Sequence, residues 1–153
     1  MIGARYVRQS EGNWCWAACG EMIFPVMGQS SISQCDFASK QFGLVCCPSP
    51  GAQAGCDKGC WPDEAYPPRG LPTTLVSSTM SQTEIRRELD AGRPVQVCYQ
   101  WSNSNATHVA VIVGEHANGD LEVLDPWYGG GPRSLSQVQS GYGQGSWIYS
   151  FTF

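Results

Sequence analysis

Apolar residues recur at helical spacing in the first half of the chain and in short alternating or continuous runs in the second half. The first helical run follows a Gly-Asn turn and predicts a helix that begins near Asn13 or Trp14. We expect this helix to end at about Phe24, because Pro25 disfavours helical geometry at the residue before it.

Two capping patterns predict two further helices. The sequence Ser-Gln-Cys-Asp at residues 33–36 resembles a capping box with Asp in place of Glu, and predicts a helix to about Phe42 that stops at Gly43. The sequence Ser-Gln-Thr-Glu at residues 81–84 is a stronger capping box and predicts a third helix over residues 82–91.

After these helices the pattern changes to short β-type runs bounded by turn residues. They predict strands at residues 95–101, 108–113, 121–124 and 147–151, with an Asn-Gly-Asp hairpin signal between the middle two. Two stretches predict irregular loops: residues 44–72, rich in proline and cysteine, and residues 129–146, which hold six glycines.

Helices followed by strands predict an α+β fold, in which an N-terminal helical part packs on a C-terminal antiparallel sheet. The length of 153 residues favours a single domain over residues 1–153. The formal charge of −4 includes no basic run, so nucleic-acid binding through phosphate contacts is not expected. No apolar stretch is long enough to span a bilayer.

Eight cysteines are many for a cytosolic enzyme and favour disulfides formed in an oxidising compartment. Five of the cysteines lie within one stretch of 26 residues. These five, together with one cysteine outside the stretch, are the disulfide candidates. These candidates are Cys19, Cys35, Cys46, Cys47, Cys56 and Cys60. Cys98, in an apolar run, is expected to be a buried free thiol. The alternative is a zinc site, but the cysteine spacing fits the usual ligand pairs poorly, so no metal or other cofactor is expected.

Cys15 is the strongest candidate for chemistry in the chain. It falls where the Gly-Asn turn meets the first predicted helix, and the positive end of a helix dipole favours a thiolate. Gln9, six residues upstream, could place an amide donor beside that sulfur, and a nucleophile next to such a donor suits acyl transfer. The alternative is that Cys15 is a buried hydrophobe or half of a disulfide.

His108 and Asp125 are the candidate base and its orienting partner. His108 begins one predicted strand and Asp125 follows the end of the next, so antiparallel pairing across the hairpin should make them neighbours. His116 lies at the wrong end of the same strand to meet Asp125. A structural histidine and a turn-forming aspartate are the alternatives.

These residues resemble the papain-like cysteine peptidases, particularly compact bacterial enzymes that include effector peptidases delivered into other cells. That family has a Gln six residues before the nucleophilic Cys, a Trp after it, a His that begins a strand, and an Asn or Asp two residues before a Trp. The resemblance implies that Gln9 is the oxyanion donor, Cys15 the nucleophile, His108 the general base and acid, and Asp125 the orienter. It implies that Trp127 shields the His–Asp contact and lines the substrate site.

We therefore predict a cysteine endopeptidase that cleaves protein or peptide substrates through a thioester acyl-enzyme. We expect a monomeric bacterial toxin or effector that is secreted or delivered into a target cell, with an inhibitory or immunity protein in the producer. Two alternatives remain open. One is a deamidase, transglutaminase or cell-wall amidase that uses the same Cys-His-Asp site, and the other is a disulfide-stapled binding module without enzymatic activity.

Overall fold

The computed structural model describes residues 1–47 and 54–153. Its helical elements are α1 (Cys15–Val26), α2 (Gln34–Phe42), α3 (Pro62–Ala65), a 3-10 turn (Pro67–Arg69), α4 (Gln82–Asp90) and α5 (Leu135–Gln139). Its strands are β1 (Thr74–Val76), β2 (Val95–Trp101), β3 (Thr107–Glu115), β4 (Leu121–Asp125), β5 (Gly129–Arg133) and β6 (Gly145–Thr152). No helix among these is long and apolar enough to cross a membrane.

The predicted helix ends are confirmed at α2 and α4 and wrong at α1. The side chain of Ser33 accepts the N–H of Asp36 at 3.1 Å, and Gly43 closes α2 in the left-handed conformation at a φ of 64°. α4 has the complete capping box, and ends one residue earlier than predicted. α1 continues through Pro25 to Val26. A proline in the final turn removes one backbone donor, while the N–H groups that follow it still close the turn.

Six antiparallel strands form one sheet in the order β1-β6-β2-β3-β4-β5. The four predicted strands are confirmed, and so is the hairpin that joins β3 to β4. The two predicted loops are wrong in part. The first contains α3 and the 3-10 turn, and the second contains β5 and α5.

Helices cover both faces of the sheet, and α1 packs on one of these faces. One core cluster, including Trp14, Phe24 and Phe37, lies between the helices α1 and α2 and the face of the sheet that carries Val109. A second cluster on the other face gathers around Ile85 of α4 and Val138 of α5. The result is an α+β fold with the helical N-terminal part on an antiparallel sheet, as predicted.

Gly20 lets α1 and α2 approach closely. A Cβ at this position would lie 2.7 Å from the Phe37 ring and 3.0 Å from the Tyr66 ring. Because any larger residue would push these rings away, the glycine sets how deeply Phe37 packs beneath α1.

The structure contains two disulfides, Cys35–Cys47 and Cys46–Cys56. Four of the six disulfide candidates are therefore in disulfides. The alternative of a zinc site on Cys46, Cys47, Cys56 and Cys60 is disfavoured, because three of these four sulfurs are in disulfides. Cys19 and Cys60 are free, contrary to prediction. Their thiols instead donate to backbone carbonyls, that of Cys19 to Val109 at 3.5 Å and that of Cys60 to Trp61 at 3.6 Å.

Candidate active site

Cys15 is the first residue of α1, and its side chain lines a cleft of about 600 Å³. Among the described residues, no side chain caps this end of the helix, so the first-turn amides, which have no partner within the helix, remain available to an anion. The helix dipole favours a negative charge at the same place. Cys15 is half-buried and free, so its sulfur is accessible for reaction.

The turn before Cys15 is held by the segment of residues 56–58. Four hydrogen bonds join this segment to the turn and the start of α1. Trp14 Nε1 donates to the Cys56 carbonyl at 2.7 Å and Trp16 Nε1 to the Lys58 carbonyl at 3.0 Å, while Asn13 donates its backbone N–H to the Asp57 carboxylate at 2.8 Å and its Nδ2 to the Asp57 carbonyl at 3.4 Å. The Cys46–Cys56 disulfide anchors this segment. The cysteine-rich region therefore supports the start of α1, a role that spacing alone did not reveal.

His108 and Asp125 meet as the hairpin predicts. His108 is the second residue of β3, Asp125 is the last of β4, and His108 Nε2 lies 2.8 Å from Asp125 Oδ1. Nδ1 is left for another partner, and the Cys15 side chain lines the same cleft and contributes to the raised pKa of the imidazole. His116 lies at the far end of β3, where Nε2 pairs with Glu122 at 2.8 Å. The structure thus brings Cys15, His108 and Asp125 together and leaves His116 apart.

Asp125 is 1% exposed and accepts four hydrogen bonds. Oδ1 accepts the backbone N–H groups of Trp127 and Tyr128 at 2.9 Å, in addition to its contact with His108. Oδ2 accepts the hydroxyl of Tyr142 at 2.8 Å. The carboxylate is therefore fixed through both oxygens, and Tyr142 is a site residue that the sequence analysis missed.

Two aromatic rings pack against His108. Trp101 stacks on the imidazole at a centroid distance of 5.6 Å and an interplanar angle of 25°, and Tyr128 meets it edge-on at 6.1 Å. Trp127 lines the cleft, but its ring is 47% exposed and faces the guanidinium of Arg8 at 5.7 Å. The shielding expected of Trp127 is thus supplied by Trp101 and Tyr128, while Trp127 contributes its backbone N–H to Asp125.

Gln9 also lines the cleft and is 7% exposed. Its Nε2 donates to the carbonyls of Glu11 at 2.9 Å and Gly12 at 3.0 Å, while Oε1 is buried with no partner among the described residues. Both amide hydrogens are therefore directed to the turn. For Gln9 to bind an oxyanion formed at Cys15, one of these hydrogens would have to share or leave its carbonyl acceptor. The Cys15 backbone N–H has no acceptor within the helix and can bind the oxyanion directly.

The charges of the His–Asp pair follow from opposing effects of burial and hydrogen bonding. Burial disfavours the imidazolium, but hydrogen bonds to Asp125 and Cys15 outweigh it and raise the pKa of His108 to about 9. Burial also opposes ionisation of Asp125, but its contacts with His108 and two backbone N–H groups lower the net pKa of this carboxyl. An imidazolium–carboxylate pair is therefore favoured at neutral pH.

The other free thiols are held in the protonated form. Burial raises the pKa of Cys98 to about 12, and burial with the nearby Glu64 raises that of Cys60 to about 11. Burial raises the pKa of Cys19 well above its ordinary value. Thiolate chemistry near neutral pH is thus disfavoured at all three positions.

The pKa shifts of His108 and Asp125 predict how the stability of the fold depends on pH. His108 stabilises the fold fully below its unfolded pKa of about 6.5, and this contribution is lost as the pH rises through about 9. Asp125 contributes above its unfolded pKa of about 3.9, and its contribution is lost as the pH falls through the depressed native value. We expect the free energy of unfolding, measured by denaturant titration, to be greatest between about pH 4 and 6.5. His108→Gln is the control and should lack the decline between pH 6.5 and 9; an equal decline in this variant would contradict the assignment.

Comparison with known proteins agrees with this geometry. The family described as "Papain-like cysteine protease AvrRpt2" matches residues 2–142. A C39-like peptidase from Bacillus anthracis has a similar fold, with a TM-score of 0.59, 12% identity, and coverage of 99% of this chain and 94% of the other. Interpain A, a cysteine protease of Prevotella intermedia, overlaps 52% of this chain and 37% of its own, with 15% identity and a TM-score of 0.41. No curated protein sequence matches the chain. Because the family match spans most of the chain and the fold agrees, the chain belongs to the papain-like cysteine proteases of the AvrRpt2 family.

Proposed function

We propose that this cysteine protease is an endopeptidase that cleaves protein substrates with Cys15 as nucleophile, His108 as general base and acid, and Asp125 as orienter. One observation carries the proposal. His108 uses Nε2 to contact a buried carboxylate, while the free Cys15 thiol at the start of α1 lines the same cleft and lies close enough to help raise the pKa of the imidazole. This is the arrangement that a nucleophile, its base and an orienting group require.

The reaction begins with the Cys15 thiolate and the His108 imidazolium. The sulfur attacks the carbonyl carbon of a peptide bond, and the Cys15 N–H, with Gln9 where its amide exchanges partners, stabilises the resulting oxyanion. His108 then donates its proton to the leaving amine as the C–N bond breaks, which leaves a thioester on Cys15. His108 then takes a proton from water as the water oxygen attacks the thioester carbon, and the C–S bond breaks to release the carboxylic acid and the Cys15 thiolate beside the His108 imidazolium.

The cleft supports a peptide substrate rather than a small molecule. Aromatic side chains, including those of Trp61, Trp101, Trp127 and Tyr128, line it together with polar groups of the turn before Cys15. Such walls offer large apolar surfaces to the side chains of an extended peptide, and the polar groups can bind its backbone. Cys15 is free rather than in a disulfide, which disfavours the alternative of a binding module without enzymatic activity.

We place the site of action outside the producing cell, as a secreted or delivered bacterial toxin or effector that acts as a monomer. Support comes from the two disulfides, because such bonds form and persist in oxidising compartments. A producer that contains susceptible proteins would need an inhibitory protein that closes the cleft before export.

The test is a search for new N-termini in a proteome exposed to the purified protein, with Cys15→Ala as the matched control. The proposal predicts new N-termini that depend on Cys15. If intact proteins instead gain about 1 Da at glutamine, the same site carries out deamidation. If neither change depends on Cys15, the proposed function is wrong.

A further inference from the structure

Tyr142 contacts the Asp125 carboxylate from a segment that lies well beyond the His–Asp hairpin. Its hydroxyl donates to Asp125 Oδ2 at 2.8 Å, on the oxygen opposite the one that faces His108. Without this bond, Oδ2 would have no hydrogen-bond donor among the described residues, although Asp125 is only 1% exposed. A buried carboxylate oxygen without a donor is costly, so the hydroxyl has a direct effect on the charge state of Asp125.

The backbone of Tyr142 is strained in order to place this hydroxyl. Among the described residues, Tyr142 is the one non-glycine residue with a positive φ, 59°, and it lies between Gly141 and Gly143, which also have positive φ values. The left-handed conformation is unfavourable for a residue with a side chain. Glycine would adopt it freely, so the bulky residue at this position indicates a requirement for its side chain.

The surroundings of Tyr142 restrict its ring. Tyr99 and Tyr128 pack edge-on against it at centroid distances of 5.4 and 5.7 Å, and the guanidinium of Arg133 lies 5.6 Å from its centre. Tyr128 also contacts the His108 ring, so one aromatic cluster joins Tyr142 to the candidate base. Burial, with the nearby Tyr99 and Asp125, holds the pKa of Tyr142 well above its ordinary value, so its hydroxyl remains a proton donor.

We propose that Tyr142 is a positioning residue that fixes the Asp125 carboxylate, so that Oδ1 is presented to His108 in one orientation. The backbone N–H groups of Trp127 and Tyr128 hold one oxygen, and the Tyr142 hydroxyl holds the other. Together they prevent rotation of the carboxylate about its χ2 angle. The role rests on the proposed function, because it matters for turnover only if His108 serves Cys15.

The test compares Tyr142→Phe with Tyr99→Phe. The first removes the hydroxyl on Asp125, and the second removes one from the same cluster that lies 3.4 Å from the Tyr142 hydroxyl. We expect Tyr142→Phe to lower kcat about tenfold with little change in KM, because the lost bond joins a donor to a charged group. We expect the acid limb of the pH–rate profile to move up by about one pH unit, because the ionised carboxylate loses a donor. Tyr99→Phe removes a donor to the Tyr142 hydroxyl but leaves the bond from Tyr142 to Asp125 in place, so it should change both much less.

A double-mutant cycle with Asp125→Asn separates positioning from a general structural effect. If Tyr142 acts through Asp125, then Tyr142→Phe costs much less activity in the Asp125→Asn background than in the wild type. Additive losses, an unmoved acid limb, or an equal effect of Tyr99→Phe would overturn the proposal. The pH profile of Cys15 alkylation by iodoacetamide reports the same shift without a substrate. An absence of peptidase activity would therefore refute the proposed function and leave the Tyr142 proposal testable.

Discussion

Replacement of Cys15 by alanine is expected to lower kcat/KM by about 10⁴-fold or more, because the thioester intermediate cannot form without the sulfur. The loss should appear in kcat, measured on a peptide that spans a cleavage site found by N-terminal mapping. The free energy of unfolding should change little, because the side chain is half-buried at the open end of α1.

Cys60→Ala is the matched control for this loss. Cys60 is the other half-buried free thiol, and its pKa of about 11 keeps it protonated. Its replacement should leave kcat/KM within about threefold of the wild type, since surface or half-buried changes without a catalytic role have small effects. Substantial activity in Cys15→Ala, or an equal loss in Cys60→Ala, would show that Cys15 is not the nucleophile.

Asp125→Asn is expected to lower kcat by about 10- to 100-fold and to move the alkaline limb of the pH–rate profile to lower pH. The asparagine oxygen can still accept the bonds that Oδ1 accepts now, so the shape of the site is preserved. The negative charge, however, is lost, and with it the carboxylate contact that helps to raise the pKa of His108 to about 9. The pH dependence of kcat/KM measures this shift directly.

Asp125→Ala should be more damaging than Asp125→Asn. It leaves the backbone N–H groups of Trp127 and Tyr128 and the Tyr142 hydroxyl without their acceptor, which we expect to cost about 3 kcal/mol in the free energy of unfolding. The free energy of unfolding, measured by denaturant titration, and kcat together distinguish Asp125→Ala from Asp125→Asn. An alkaline limb that stays in place in both would mean that Asp125 does not set the charge of His108.

The placement of Cys15, His108 and Asp125 could be predicted from the sequence because local rules determine it. A turn followed by a helical run puts Cys15 at the start of α1, and the hairpin between β3 and β4 makes His108 and Asp125 neighbours. The Ser33 cap of α2 and the capping box of α4 also depend only on residues three apart. Such short-range signals survive in a single sequence.

The features that were missed depend on long-range contacts. β5 is a Gly-Gly-Gly-Pro-Arg segment with no β-type pattern, and pairing with β4 makes it a strand. Tyr142 reaches Asp125 through an unusual backbone conformation that no composition rule indicates. α5 is different: its capping box at Ser134 and Gln137 was visible in the sequence, but the abundance of glycine around it favoured a loop.

The pairing of the cysteines also depends on long-range contacts. Cysteine spacing indicated stapling of the region but could not choose between pairings, or show that Cys19 faces the carbonyl of Val109 instead of another sulfur. Likewise, the position of Gln9 followed from the sequence, but the commitment of its amide to the Glu11 and Gly12 carbonyls required the folded turn.

The most direct measurement of the central claim is the rate of alkylation by iodoacetamide at each free cysteine, followed by peptide mass spectrometry from pH 4 to 10. We predict that Cys15 is labelled much faster than the other free cysteines across this range, and that this reactivity is lost in His108→Gln. Cys19, Cys60 and Cys98 should remain slow over the same range. Labelling of Cys15 that follows an ordinary thiol, or that does not change in His108→Gln, would contradict a thiolate–imidazolium pair at this site.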